Sequence, residues 1–393
     1  MPTLFLIVFV DLVGFGVIIP LLPFYGEHFQ ASPATIGLLM ATYSLTQFIS
    51  APVLGRLSDR IGRKPVLGVS LAGAAGSYLL LAFASELWML FAARAIGGLM
   101  AGNISTAFAY VADVTTPANR AKGMGIIGAA FGLGFIFGPA IGGVLAGHDP
   151  LNADFQSPAL AAFALSALAL VLCLTVLKES LTPEVRARHA TGAAGRWRWV
   201  RQALADPGVR LILIMSFLAT FVFAGMETTF AMWSRRQFGW GPEQNGYLFA
   251  FVGALTALIQ GGLVGRLARA YGERRLVAAG SALLALGMLL IAFSTSLWLL
   301  LVAMTAVAAG FSMVTPSLNS LLSLQVEAGA QGGMMGLARS ATTMARILGP
   351  GFAGAVFGLL GKDWPFYAGA VIMVAVMLMA VRPVPAAAAE AEP

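Results

Sequence analysis

Across 393 residues only 10% are charged while 59% are hydrophobic, and the mean hydropathy is +0.84. A water-soluble domain carries about a quarter charged residues, so this composition excludes one. The 24 Lys and Arg against 17 Asp and Glu leave a net charge of +7. That balance would suit nucleic acid if the cations formed a patch, but they gather at the ends of apolar runs, so no nucleic-acid partner is expected. The lone cysteine, Cys173, rules out an internal disulfide framework or a cysteine metal cluster.

About twenty apolar residues suffice to cross a hydrocarbon core of about 30 Å. Such runs predict twelve spans, over 3–25, 34–55, 66–84, 87–112, 122–147, 158–177, 209–233, 244–265, 275–295, 297–324, 333–360 and 364–382. Strands in lipid must close a barrel and alternate polar with apolar residues. These runs do not alternate, so the chain is read as an all-α membrane protein. The first run is too long for the apolar part of a cleavable leader and no small-residue cleavage site follows it. With the first end inside, polar segments on that side hold 18 of the 24 cations. The other side holds Arg235, Arg236 and Lys362, and Arg94, Arg339 and Arg346 fall within spans. This asymmetry places both termini in the cytoplasm, and the short loops suit a bacterial inner membrane.

The chain also repeats itself. Gly55-Arg56-Leu57 and Gly62 recur 210 residues later as Gly265-Arg266-Leu267 and Gly272. Gly138-Pro139 recurs as Gly349-Pro350 at an offset of 211. Duplication predicts two six-helix bundles, 1–177 and 209–393, joined by a basic cytoplasmic linker over 178–208. Parallel repeats of this kind build a site at the midplane.

In chain order, Asp11 comes first, deep in span 1. An unpaired carboxylate there suits proton pick-up and release; the alternative is a structural partner for a nearby helix end. The loop Gly55-Arg-Leu-Ser-Asp59-Arg60-Ile-Gly62-Arg63-Lys64 follows span 2, its glycines permitting a tight reversal. Arg94 lies inside span 4 with Asn103 beyond it. An arginine there costs at least ~2.5 kcal/mol to insert, so it is expected to face water, a partner or a substrate path. In span 5, Gly134, Gly138 and Gly142 recur every four residues, with Pro139 and Gly143 beside them, and clear one helix face for close packing. Glu227 in span 7 is a proton carrier or counter-charge, or else pairs with Arg235 or Arg236. Arg339 and Arg346, seven residues apart, share one face of span 11 and could bind an organic anion or bond Glu227; snorkelling to the cytoplasmic end is the other reading of Arg339. Gln47, Tyr43, Asn103, Gln260 and Trp233 are weaker candidates for a cavity lining. Gly123-Met-Gly125-Ile-Ile-Gly128 has dinucleotide-type glycine spacing but opens a membrane helix rather than following a strand, so no cofactor is expected. The three histidines have no metal-ligand spacing.

The loop Gly55–Lys64 resembles the signature loop of the major facilitator superfamily. The span 5 glycines resemble the antiporter signature of its drug:proton branch. Arg94 resembles the span 4 arginine of that branch, and the stretch Asp11–Pro23 resembles the first helix of tetracycline-type exporters. The resemblance implies a twelve-helix carrier working by alternating access as a monomer, with small-molecule efflux driven by protons and no catalysis. It further implies proton and substrate coupling through Asp11, Arg94, Glu227 and Arg346, and a cytoplasmic latch formed by Gly55, Asp59, Arg60, Gly62, Arg63 and Lys64. Arg269 stands where the second copy would need an Asp, so a second acidic latch is not expected. Two other readings remain at this level: an organic-anion or sugar carrier of the same superfamily, and a non-transporting membrane receptor or scaffold.

Overall fold

The structure, a computed structural model, describes residues 2–181, 204–325 and 331–382. Among the described residues there is no strand, and twelve helices are long and apolar enough to cross a membrane. These are α1 (Pro2–His28), α2 (Pro33–Ile61), α3 (Arg63–Ala82), α4 (Leu87–Val114), α5 (Lys122–Ala146) and α6 (Gln156–Thr175). They continue as α7 (Pro207–Phe238), α8 (Pro242–Tyr271), α9 (Glu273–Ala292), α10 (Leu297–Leu324), α11 (Gly333–Leu360) and α12 (Trp364–Val381). Most of the linker expected over 178–208 lies outside the described residues.

Local chemistry explains the starts and stops. Pro33, Pro207 and Pro242 open their helices, where a missing N–H costs nothing. Ser32 caps α2 by accepting the Thr35 N–H at 3.2 Å, and Ser296 caps α10 through Leu299 N–H at 3.4 Å. Three helices are interrupted: α1 by a 3-10 turn at Ile19–Leu21 around Pro20, α4 between Leu99 and Asn103, and α8 by a π-helical stretch, Ile259–Leu263. Such breaks free backbone groups within the membrane and often mark functional ground.

The signature stretch is less of a loop than its glycines suggested. Gly55 lies within α2, which continues helical to Ile61. The reversal is made at Gly62, with φ of +116°, and Arg63 already opens α3. The second copy does the same: α8 runs through Gly265 to Tyr271, and Gly272 turns the chain with φ of +82°. One left-handed residue makes each turn, and only glycine takes that conformation without strain.

The described chain falls into two compact units, Met1–Gly192 with Glu227–Ala257, and Ala193–Met226 with Leu258–Pro393. In the first, α1 lies backbone to backbone on α5. A Cβ added at Gly138 would stand 2.6 Å from the Gly16 Cα, and one at Gly134 would stand 2.8 Å from the Leu12 Cβ. Gly143, on another face, meets the start of α8 at Pro242 and Gly246. In the second unit α11 repeats the arrangement on α7, with Gly349 against the Phe221 backbone and Gly225 against Ala353. The sequence repeat is thus a repeat of helix pairs held by missing side chains.

Candidate functional site

Asp11 sits midway along α1 and is only 4% exposed. Burying a carboxylate is tolerable only when its oxygens are satisfied, and here two helices supply the donors. Ser166 of α6, fully buried, donates its hydroxyl to one Asp11 oxygen at 2.8 Å, and the Asn103 amide donates to the other. Asn103 occupies the first helical position after the break in α4. The carboxylate that looked unpaired in the sequence is therefore clamped on both oxygens.

Arg94 lies one helical segment earlier on α4 and is 5% exposed. Its guanidinium carbon stands 4.4 Å from the centre of the Tyr43 ring, a cation–π contact, while its Nε has no hydrogen-bond partner among the described residues. Asp11, Phe15, Tyr43, Tyr78, Arg94 and Asn103 line one cavity within the first unit. Glu227 of α7 belongs to the same unit, is half-buried, and lies close enough for its charge to act on Arg94. Arg235 and Arg236, its expected structural partners, meet Glu27 at the end of α1, at 2.8 and 3.7 Å.

The remaining candidates lie apart from this cavity or at its edge. Gln47 reaches the Ala101 carbonyl at 3.5 Å, beside the α4 break. Trp233 is fully buried between Phe230 and Phe238 and does not line the cavity of Asp11. Gln260 is exposed on the π-helical stretch of α8, and Arg339 and Arg346 are exposed on α11.

The turn at Gly62 is the anchor of a second polar cluster. Arg63, 2% exposed, pairs with Asp59 at 2.6 Å and with Asp113 at the end of α4 at 2.9 Å, and donates to the Ser58 hydroxyl at 2.8 Å. Glu179, just past α6, accepts the backbone N–H groups of Arg63 and Lys64 at 2.9 and 3.0 Å. An acid at a helix N-terminus gains from the orphan donors there. Partial burial opposes the charge on Glu179, but the backbone donors at Leu181, Arg63, Lys64 and Ser180 prevail and hold its carboxyl below the usual range. Asp113, Glu179 and Ser166 were not singled out from sequence, because each is a single polar residue whose partners lie on other helices. In the second copy the charges are reversed. Arg269 replaces Asp59, Glu273 replaces Arg63, and Glu273 accepts from Ser320 at 3.1 Å. No group of three or more potential metal ligands occurs among the described residues.

The family model described as Major Facilitator Superfamily matches residues 4–268 and 257–393. The chain is 34% identical to the class C tetracycline resistance protein of Escherichia coli over 359 residues, covering 90% of this chain and 88% of that protein. It is also 34% identical to major facilitator superfamily domain-containing protein 10 of Bos taurus, over 83% of this chain and 73% of the relative. Among solved structures it is similar to the human organic anion transporter MFSD10 (TETRAN), with a TM-score of 0.72, 28% identity, and coverage of 96% of this chain and 98% of that one. Its fold also matches a D-xylose-proton symporter, with a TM-score of 0.80 at 18% identity over 98% and 97% of the two chains. Twelve membrane-length helices, the duplicated helix pairs and the Gly62 turn agree with these matches: the chain is a multi-pass membrane protein that belongs to the major facilitator superfamily of transporters.

Proposed function

We propose that this carrier exports an amphipathic, drug-like small molecule in exchange for protons, from the cytoplasmic side of a bacterial inner membrane with both termini in the cytoplasm. The observation that carries the reading is the clamped Asp11 carboxylate in one cavity with Arg94, on a helix packed directly against the glycine face of α5. The relatives named as tetracycline resistance proteins support the same direction of transport. A buried acid near a cation in a membrane span is suited to holding a proton for part of a cycle. Glu227 serves as a second proton-binding or counter-charge group through Arg94, and the cluster around Arg63 as a latch at the cytoplasmic end. The sequence halves 1–177 and 209–393 act as the moving bodies, and one chain is the working unit.

Substrate-driven proton movement in proteoliposomes tests this. Wild type is expected to move protons when a transported amphiphile is added. Asp11→Asn, an isosteric change that keeps the hydrogen-bonding volume, is expected to abolish the signal while the protein still inserts. Full proton exchange by Asp11→Asn and by Glu227→Gln would remove both groups from the mechanism.

A further inference from the structure

Around the Gly272 turn, cations gather that the protein itself does not neutralise, and we infer that this surface docks the headgroup of an anionic phospholipid. It is formed by Arg266 and Arg269 at the end of α8, Arg275 at the start of α9 and Arg382 just past α12, all within the second unit.

In the first copy of the turn the charge is balanced internally. Arg63 pairs with Asp59 and Asp113, and Glu179 accepts from the backbone beside it. Around Gly272 that compensation is missing. Arg266, Arg269, Arg274, Arg275 and Arg382 stand against one acid, Glu273, whose carboxylate already accepts from the Ser320 hydroxyl. Arg274 donates to the Arg382 carbonyl and so ties the end of α12 to the turn. Arg266, Arg269, Arg275 and Arg382 are exposed and make no ion pair among the described residues. The helices that reach the turn through Ser320 and Arg382, α10 and α12, contain no Asp or Glu. Arg266 and Arg269, three residues apart, share one face of α8. Arg275 lies in the first turn of α9, where the helix dipole adds to the positive potential.

The neighbours of these arginines select a lipid over a soluble anion. At 18 residues α12 is about 27 Å long, close to the thickness of the hydrocarbon core, so Arg382 at its end stands at headgroup level. Val371, Val374, Leu378 and Val381 are all exposed at helical spacing, and they form an apolar stripe that runs along α12 to Arg382. Tyr271, exposed beside the turn, is a ring of the kind that settles at the membrane–water boundary. A free phosphate or an acidic peptide would engage the arginines and leave the stripe bare. A phospholipid uses both: its acyl chain lies on the stripe, and its phosphate meets guanidinium forks whose planar geometry fits two oxygens at once. Where the first copy holds its turn with its own acids, the second borrows the anion from the bilayer.

The full chain, delipidated in a neutral detergent, is titrated with dioleoyl phosphatidylglycerol and with dioleoyl phosphatidylcholine, and bound lipid is counted by native mass spectrometry. Phosphatidylglycerol is expected to bind about tenfold more tightly. Arg266→Gln combined with Arg269→Gln is expected to abolish that preference, and Arg269→Asp, which installs the acid of the first copy, to do the same. Arg56→Gln combined with Lys178→Gln removes equal charge from the first copy and should leave the preference unchanged. Should the Arg266 and Arg269 variants fail to purify, Arg275→Gln and Arg382→Gln decide the matter, each expected to lower the preference about threefold. Equal binding of the two lipids overturns the inference, as does a preference that survives these substitutions. A preference lost equally in the first-copy pair would make net charge the cause and overturn it too. Displacement of phosphatidylglycerol by inorganic phosphate would make a free anion the occupant, and short-chain phosphatidylglycerol binding as tightly as the dioleoyl form would leave the stripe without a part; either result refutes the lipid.

Discussion

Replacing Ser166 by alanine removes one of the two donors that hold the Asp11 carboxylate, and Ser166 does not itself line the cavity. The side chain is fully buried, and its hydroxyl donates to Asp11 at 2.8 Å. A hydrogen bond to a charged group contributes ~1.5–3 kcal/mol, and about 1.4 kcal/mol corresponds to one pH unit. The donor favours the ionised form, so its loss lets the proton bind at higher pH. The pH at which exchange is half-maximal should therefore move alkaline by about 1–2 units. The other charged and titratable groups around the cavity (Arg94 on α4, Tyr43 on α2, Tyr78 on α3, and Glu227, which acts through Arg94) are unchanged by the substitution. A pH-sensitive dye in proteoliposomes reads the midpoint over a pH series, and Ser166→Thr, which keeps the donor, should restore it. An alanine variant with a lower amplitude but the wild-type midpoint would show that Ser166 only packs α6 against α1, and the reasoning would fail.

Three further outcomes are expected. Gly138→Ala forces a Cβ to within 2.6 Å of the Gly16 backbone and should cost about 1–3 kcal/mol, read as a lower melting temperature in detergent; an unchanged melt would contradict the backbone contact. Glu179 is held below its ordinary value of 4.5, so its stabilising contribution is present above that value and is lost as pH falls through the lower native one. Wild type should thus lose its thermal advantage over Glu179→Gln only in acid, and a gap that persists there would argue against it. Glu27→Gln weakens the hold of Arg235 and Arg236. For partly exposed pairs that is worth roughly 0.2–1 kcal/mol, so backbone amides near Trp240 should exchange with solvent up to about fivefold faster.

Hydropathy alone located all twelve spans, because a membrane helix is defined by a continuous property of its own segment, though α2, α7 and α8 run five or six residues past their expected ends into polar sequence. The site needed information that no segment holds. Asp11 looked solitary because its donors lie 92 and 155 residues away, and Ser166 is one hydroxyl in an apolar run with nothing to distinguish it. Arg235 stands two turns from Glu227 in sequence, yet it pairs across 208 residues with Glu27. The stretch at Gly55–Lys64 was recognisable as a motif, but its glycines did not reveal which one turns. Gly55 continues the helix and Gly62 ends it, and only the backbone angle separates them.

The contact of α5 on α1 has a mechanical consequence. Where side chains interdigitate, two helices can slide by exchanging rotamers, but where backbone meets backbone there is nothing to exchange. Gly134, Gly138 and Gly142 therefore make α1 and α5 a single stiff plate. Any tilt of α5 carries Asp11 with it, away from or towards the donors on α4 and α6. On the proposed mechanism, the grip of Asp11 on a proton would then depend on that angle, and the glycine face would convert a rotation into a change of affinity.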